Sequence, residues 1–155
     1  MQTFLPFPDF AATAAVLDTR RLGKQRVEAM QILRALTRPA YGWKHHPAVL
    51  MWQGYEEALG AYAVAICREW CNRGYADTCE VKILDDLAAA AVSAPPRSQA
   101  ELRSVGALPP WIGDEALHRS HRSALIRKDP AWYAGSFSDV PDDLPYVWPV
   151  RKSLS

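Results

Sequence analysis

The 155-residue sequence lacks the features that mark several common classes of protein. It has three cysteines, an odd number, which fits a reducing compartment better than a disulfide framework. No apolar run is long enough for a bilayer, and the N-terminus lacks the basic and apolar pattern of a secretion signal. Phosphate-binding glycine loops, dinucleotide fingerprints and nucleophile elbows are also missing. These gaps predict a cytoplasmic protein without a membrane segment.

Net charge is only +1, which argues against a surface coated in basic residues for bulk nucleic-acid binding. Lys and Arg nevertheless outnumber Asp and Glu by seven to three in residues 1–50. The corresponding counts are four to eight in residues 51–102 and seven to six in residues 103–155. A basic N-terminal third can present one local phosphate-binding face. It can equally be the solvated side of an amphipathic helix, and the charge counts leave both readings open.

Helix signals recur along the chain. Asp9, Asp18, Thr78 and Asp114 each stand before a stretch with helical periodicity, in the position of an N-cap. Pro47 is suited to the first turn of a long helix, which apolar residues at spacings of four and three extend to about residue 73. The predicted helices cover residues 11–17, 19–36, 47–73, 79–92, 100–105 and 115–128.

The ends of these segments and the stretches between them predict the overall fold. Pro130 is expected to terminate the last long helix, and the tail that follows carries three more prolines, so it is predicted to be irregular. No convincing pair of strands is present. We therefore predict an all-α single domain over residues 1–155, a compact helical bundle or orthogonal helix array with long irregular loops.

The first candidate site is the basic helix over residues 18–31. At 100° per residue, a sector of about 120° contains a carboxylate with basic and amide neighbours. Its members are Arg21, Lys24, Gln25, Glu28 and Gln31. A carboxylate held by Arg and Lys suits stabilisation of a cationic sugar or a general-base role. A solvated face with ion pairs three and four residues apart would show the same spacing.

A second candidate is His46, in the sequence G-W-K-H-H-P, because it lies just before the predicted helix at Pro47. A histidine there can bind phosphate, transfer protons or ligate a metal, or it can simply bond to backbone in a loop. The adjacent Trp43 either lines a pocket or fills the core, and the sequence does not decide which.

A third candidate is the sequence H-R-S-H-R-S over residues 118–123, in which His118 and His121 share a helical face. Together with His46 they would supply three nitrogens for a metal, although no familiar metalloenzyme signature accompanies them and we predict no metal. Three cysteines at positions 67, 71 and 79 match no zinc spacing and are predicted to be inert core thiols.

Basic and aromatic side chains follow this segment. Lys128 precedes Trp132 and Tyr133, a combination that suits phosphate contact and base stacking, although the two aromatic rings can also close the core under the helix end.

These motifs, in this order, resemble the pyrimidine-dimer DNA glycosylase superfamily of the endonuclease V type, and most closely its bacterial members. The resemblance rests on an N-terminal M-x-x-F-x-P, on L-D-x-x-R-L-x-K-Q-x-x-E over residues 17–28, and on W-x-H-H-P over residues 43–47. It also includes H-R-S-H-R-S-x-L-x-R-K-D-P over residues 118–130. It spans nearly the whole chain, whereas similarity to the phage enzymes covers only short patches.

The resemblance implies a helical domain that opens damaged DNA and cleaves a glycosidic bond. In the family an N-terminal amine forms an imine, assisted by a Glu on the first helix. This chain departs in two places: bulky Gln2 keeps Met1 as the first residue, and the family Glu aligns either with Gln25 or near Glu28. These departures leave the lyase step open.

The resulting expectation is a DNA glycosylase acting on damaged or modified pyrimidines, without a cofactor and as a monomer. The catalytic group would be Glu28, or Gln25 positioning a water, with Arg21 and Lys24 orienting the carboxylate. Predicted contacts to the pocket or to DNA are Arg26, His46, His118, His121, Arg122, Lys128, Trp132 and Tyr133. Two alternatives are a non-catalytic nucleic-acid-binding module of the same fold and a histidine-metal enzyme acting on a nucleoside or nucleotide.

Overall fold

Residues 1–149 of the computed structural model are described here, and they contain eight helices and no strand. The predicted all-α fold is thereby confirmed. The helices are α1 (Phe10–Val16), α2 (Thr19–Thr37), α3 (Pro47–Leu50), α4 (Glu56–Asn72), α5 (Cys79–Ala89), α6 (Gln99–Ser104), α7 (Glu115–Lys128) and α8 (Pro130–Tyr133). No helix in this range is both long and apolar enough to cross a membrane.

Side-chain caps set the starts of most helices, as the sequence predicts. Asp9, Asp18 and Asp114 each accept a hydrogen bond from a backbone N–H of the first turn of α1, α2 and α7. Thr78 occupies the N-cap position of α5 but makes no side-chain bond there. Asp77 replaces it, because its carboxylate accepts from the N–H groups of residues 79 and 80.

The long helix predicted from residue 47 is divided into α3 and α4. Gly54 interrupts it with a φ of 86°, a left-handed conformation that a residue with a Cβ adopts only at a cost. The apolar periodicity continues across the break, which is why the sequence pattern alone concealed it. The last long helix, α7, ends at Lys128 just before Pro130, as predicted, and Pro130 also opens the short helix α8, which was not predicted.

One apolar core joins the helices, with α2 and α4 at its centre. Trp52 and Tyr62 are fully buried in it, and their rings pack against Phe10. The extended N-terminal segment, residues 1–8, is inserted into the same core, with residues 2–6 all buried. This insertion places the chain terminus beside the middle of α2.

Candidate functional site: a pocket at the N-terminus

A pocket of about 380 Å³ lies where the N-terminal segment meets α2, the end of α7 and the C-terminal tail. Its lining residues are Met1, Gln2, Phe4, Arg20, Arg21, Lys24, Gln25, Glu28, Lys128 and Tyr146. We call it the Glu28 pocket. It brings together all four residues predicted to be catalytic and the N-terminal residue of the chain.

Glu28 is the one carboxylate among the residues that line this pocket. Its side chain is 14% exposed, so it is accessible from the pocket yet shielded from bulk water. One carboxylate oxygen accepts a hydrogen bond from Gln25 Nε2 at 2.9 Å, and the other lies 3.8 Å from Lys24 Nζ. Gln25 therefore holds one carboxylate oxygen, and the exposed Lys24 supplies a positive charge near the other.

Gln25 is buried, and both N–H groups of its amide are donated to protein partners. Its Oε1 accepts from Phe4 N at 3.0 Å and lies 2.8 Å from the Tyr62 hydroxyl. Its Nε2 donates to Gln2 O and to Glu28, both at 2.9 Å. Both donors of the amide are therefore engaged, and the role of Gln25 in positioning a water stays a prediction. The observed contacts of Gln25 join the N-terminal segment to the carboxylate.

Side chains, rather than a neighbouring strand, satisfy the backbone of the N-terminal segment. The Tyr62 hydroxyl lies 2.7 Å from Phe4 O, Arg122 Nη1 donates to Pro6 O at 2.8 Å, and Gln99 Nε2 donates to Pro8 O at 2.8 Å. Because buried backbone groups are costly to leave unpaired, these bonds hold the segment in one register. That register determines where the amine of Met1 lies.

His118 and His121 bond to the backbone of the same residue, one to the C=O and the other to the N–H of Leu5. The Leu5 N–H donates to His121 Nδ1 at 2.9 Å, and His118 Nδ1 lies 2.8 Å from Leu5 O. Gly113 N donates to His118 Nε2, so the proton of the neutral His118 ring must be on Nδ1, where it can be donated to Leu5 O. Burial lowers the pKa of His118 and lowers that of His121 to about 3.

These two histidines were predicted to line the pocket or contact DNA. Both are fully buried and neither lines the Glu28 pocket; their observed contacts hold the backbone of the N-terminal segment. Sequence reasoning placed them on one helical face correctly but could not identify a partner more than 100 residues away.

The serines of the same motif hold the C-terminal tail. Ser120 Oγ accepts from Val147 N at 3.1 Å, and Ser123 Oγ accepts from Leu144 N at 2.9 Å. Tyr146 lies between these two anchored residues and forms part of the pocket wall. Thus α7 fixes both chain segments that flank the pocket, a role that the predictions for this motif missed.

Cationic side chains surround the pocket unevenly. Arg20, Lys24 and Lys128 line it and are exposed, so they can meet a phosphate backbone. Arg21 also lines it, but its guanidinium pairs with Asp18 at 3.1 Å. The prediction that Arg21 orients the Glu28 carboxylate is therefore not supported by its contacts.

The other predicted DNA contacts lie away from the pocket lining. Arg26 pairs with Asp77 at 2.6 Å and lies over the Trp70 ring, while Arg122 is buried against the N-terminal segment. Tyr133 is fully buried and bonds to Asp18, so it forms part of the core. Trp132 is 49% exposed, with its Nε1 donating to Val16 O at 2.8 Å. Of the two aromatic residues among these four, Trp132 has an exposed ring and Tyr133 does not.

His46 caps α3, because its Nδ1 accepts from Ala48 N at 3.0 Å. Its pKa is lowered by burial and by the positive charge of the N-terminal amine of Met1. It is not joined by His118 and His121, whose Nδ1 atoms are engaged with Leu5. Within residues 1–149 no group of three His, Cys, Asp or Glu side chains is placed to hold a metal ion.

A larger groove of about 620 Å³ is lined by α1, α4, α5, α6 and the loop before α6. It shares no lining residue with the Glu28 pocket, and several of its charged groups are already paired. Arg97 bonds to Glu57 at 2.9 Å, and Arg68 lies 3.5 Å from Glu80. Although this groove is larger than the Glu28 pocket, the pairing of its charged groups makes it the weaker candidate for a catalytic site.

The comparison with protein families agrees with the resemblance that the motifs carry. A family model described as pyrimidine dimer DNA glycosylase matches residues 1–83, just over half of the chain. The protein belongs to the pyrimidine dimer DNA glycosylase family. The match covers the N-terminal segment and α1–α4, and hence Gln25 and Glu28; α7 lies beyond it. No curated protein and no solved structure matches the chain.

Proposed function

We propose that this protein is a DNA glycosylase that excises damaged or modified pyrimidine bases, with Glu28 as the catalytic carboxylate. The observation that carries the proposal is the placement of Glu28 and the N-terminal residue Met1 in one pocket. Its volume of about 380 Å³ falls within the ~300–1,000 Å³ typical of ligand sites. Membership of a DNA glycosylase family supports DNA as the substrate.

The chemistry follows from the charges in the pocket. Breaking the bond between C1′ and the base nitrogen leaves positive charge on the sugar, which a fixed carboxylate in a shielded site stabilises. Glu28 has that character because Gln25 holds one of its oxygens, Lys24 lies 3.8 Å from the other, and protein covers most of its side chain. The base leaves with the bonding electron pair, and the nucleophile adds at C1′.

Two nucleophiles are compatible with the pocket. Water activated by Glu28 would give an abasic site directly. The Met1 amine would instead add to C1′, and opening of the sugar ring would yield an imine that hydride reduces to a stable adduct. Trapping by borohydride distinguishes the second route from the first.

The test uses end-labelled duplexes carrying cyclobutane dimers, uracil or modified pyrimidines, resolved with and without alkali and with borohydride. Glu28→Gln keeps the shape of the side chain but removes its charge, and we expect a rate at least 100-fold lower on the preferred substrate, in the range found for losing one electrostatic contact to the transition state. Glu80→Gln, which is outside the pocket, is the matched control.

An unchanged cleavage rate in Glu28→Gln would exclude Glu28 as the catalytic carboxylate. If the wild-type protein binds these duplexes but cleaves none, the non-catalytic binding module becomes the better description. In that case binding should weaken steeply as salt rises, because the exposed Arg20, Lys24 and Lys128 would supply the phosphate contacts.

A further inference from the structure

Trp43 stands out among the exposed residues of the loop between α2 and α3. Its side chain is 62% exposed, and its backbone has a φ of 68°, in the left-handed region that disfavours residues with a Cβ. The indole therefore adds little hydrophobic stabilisation to the fold, although its residue has an unfavourable backbone conformation. Folding would favour Gly or Asn at this position, and outliers of this kind cluster at functional sites.

The surrounding loop is anchored at several points. His46 N donates to Trp43 O at 3.0 Å, and Lys44 Nζ donates to Ala35 O at the end of α2 at 2.8 Å. The indole packs edge-on against the His46 ring, with centroids 6.0 Å apart and an interplanar angle of 75°. Trp43 therefore projects from a supported turn.

A row of aromatic rings connects Trp43 to the Glu28 pocket. His46 packs against Trp148 with ring centroids 6.1 Å apart, and Trp148 packs against Tyr146 at 5.6 Å. Tyr146 is part of the pocket wall.

We propose that Trp43 stacks on a nucleobase of the bound DNA beside the Glu28 pocket, holding the strand open while the target base is in the pocket. The proposal rests on the proposed function for its choice of partner. Taking a base out of the duplex loses stacking, and an exposed indole offers a replacement π-face that accepts any base. Edge-on and tilted ring contacts through His46 and Trp148 link Trp43 to Tyr146 of the pocket wall.

The experiment measures binding of duplexes containing the preferred lesion by fluorescence anisotropy. We expect Trp43→Gly and Trp43→Asn to bind 10- to 100-fold more weakly, or about 1.4 to 2.8 kcal/mol, whereas Trp43→Phe keeps binding within about threefold. Both Gly and Asn accept the left-handed backbone, so neither should lower the melting temperature. Val105→Ala, at another exposed apolar side chain, is the control.

A direct readout comes from 2-aminopurine placed beside the lesion. Stacking on Trp43 should quench its fluorescence in the wild-type complex, and Trp43→Gly should relieve that quenching at saturating protein. Equal affinity and equal quenching in the two proteins would overturn the stacking role, even if cleavage dependent on Glu28 persists. If the wild-type protein cleaves no substrate but Trp43→Gly still binds more weakly than the wild type, the proposed function is refuted and the stacking role is upheld. Wild-type protein that binds no DNA would overturn both.

Discussion

Removal of the Gln25 amide tests whether side-chain bonds fix the N-terminal segment. Gln25→Met keeps an unbranched side chain of similar length but removes every hydrogen bond of the amide. The change leaves Phe4 N–H and Gln2 C=O without their partners, and both residues are buried. A buried group left unpaired costs about 1–3 kcal/mol, so we expect a loss of about 3 kcal/mol in the free energy of unfolding.

Thermal unfolding followed by circular dichroism measures this loss. For a chain of this length each kcal/mol lowers the melting temperature by about 2–4 °C, so Gln25→Met should melt roughly 6–12 °C below the wild type. Gln31→Met, on the same helix but only partly buried, is the matched control and should remain within about 0.5 kcal/mol.

Hydrogen exchange separates local from global loosening. If the segment detaches before the rest of the protein unfolds, the amides of Phe4 and Leu5 should exchange about 100-fold faster while amides in α4 remain protected. A melting temperature within about 2 °C of the wild type, together with unchanged exchange at Phe4, would refute the reasoning. It would mean that packing, rather than the Gln25 amide, fixes the segment.

Other predictions concern the same segment and the helix break. His121→Asn keeps an acceptor for the Leu5 N–H and should retain imine trapping or cleavage, whereas His121→Leu should lose most of it; equal activity in the two would contradict the proposed positioning. Folding lowers the pKa of His121 from its ordinary 6.5 to about 3, so acid protonates this ring more readily in the unfolded protein than in the folded one. The free energy of unfolding should therefore be unaffected by this ring above pH 6.5 and fall by about 1.4 kcal/mol per pH unit between pH 6.5 and 3. The unfolding midpoints of His121→Asn should fall less steeply with acid than those of the wild type. A residue added before Met1 moves the terminal amine from its place beside Glu28 and should abolish imine trapping without lowering the melting temperature; unchanged trapping would exclude a requirement for an amine at the position of Met1. Gly54→Ala should cost about 1–2 kcal/mol in a denaturant titration, because its φ of 86° strains a residue with a Cβ; no loss would show that the break between α3 and α4 is not conformationally demanding.

The sequence by itself determined the helical class, most helix starts and the face of α2 that carries Glu28. These properties are local: a cap bonds within its own first turn, and helical periodicity places Gln25 and Glu28 on one side whatever the rest of the chain does. The N-terminal motif and the motifs over residues 17–28, 43–47 and 118–130 also indicated the family.

Only the tertiary structure decided what most of the remaining candidate residues do. His121 and Leu5 are 116 positions apart, and no periodicity shows that an imidazole meets a particular backbone N–H across that distance. The same limit applied to Tyr133, whose hydroxyl reaches Asp18 across 115 positions. A polar residue in a motif is ambiguous because the same donor or acceptor can serve a substrate or a buried backbone group. Burial and geometry resolve that ambiguity, and both arise from contacts between segments far apart in the chain.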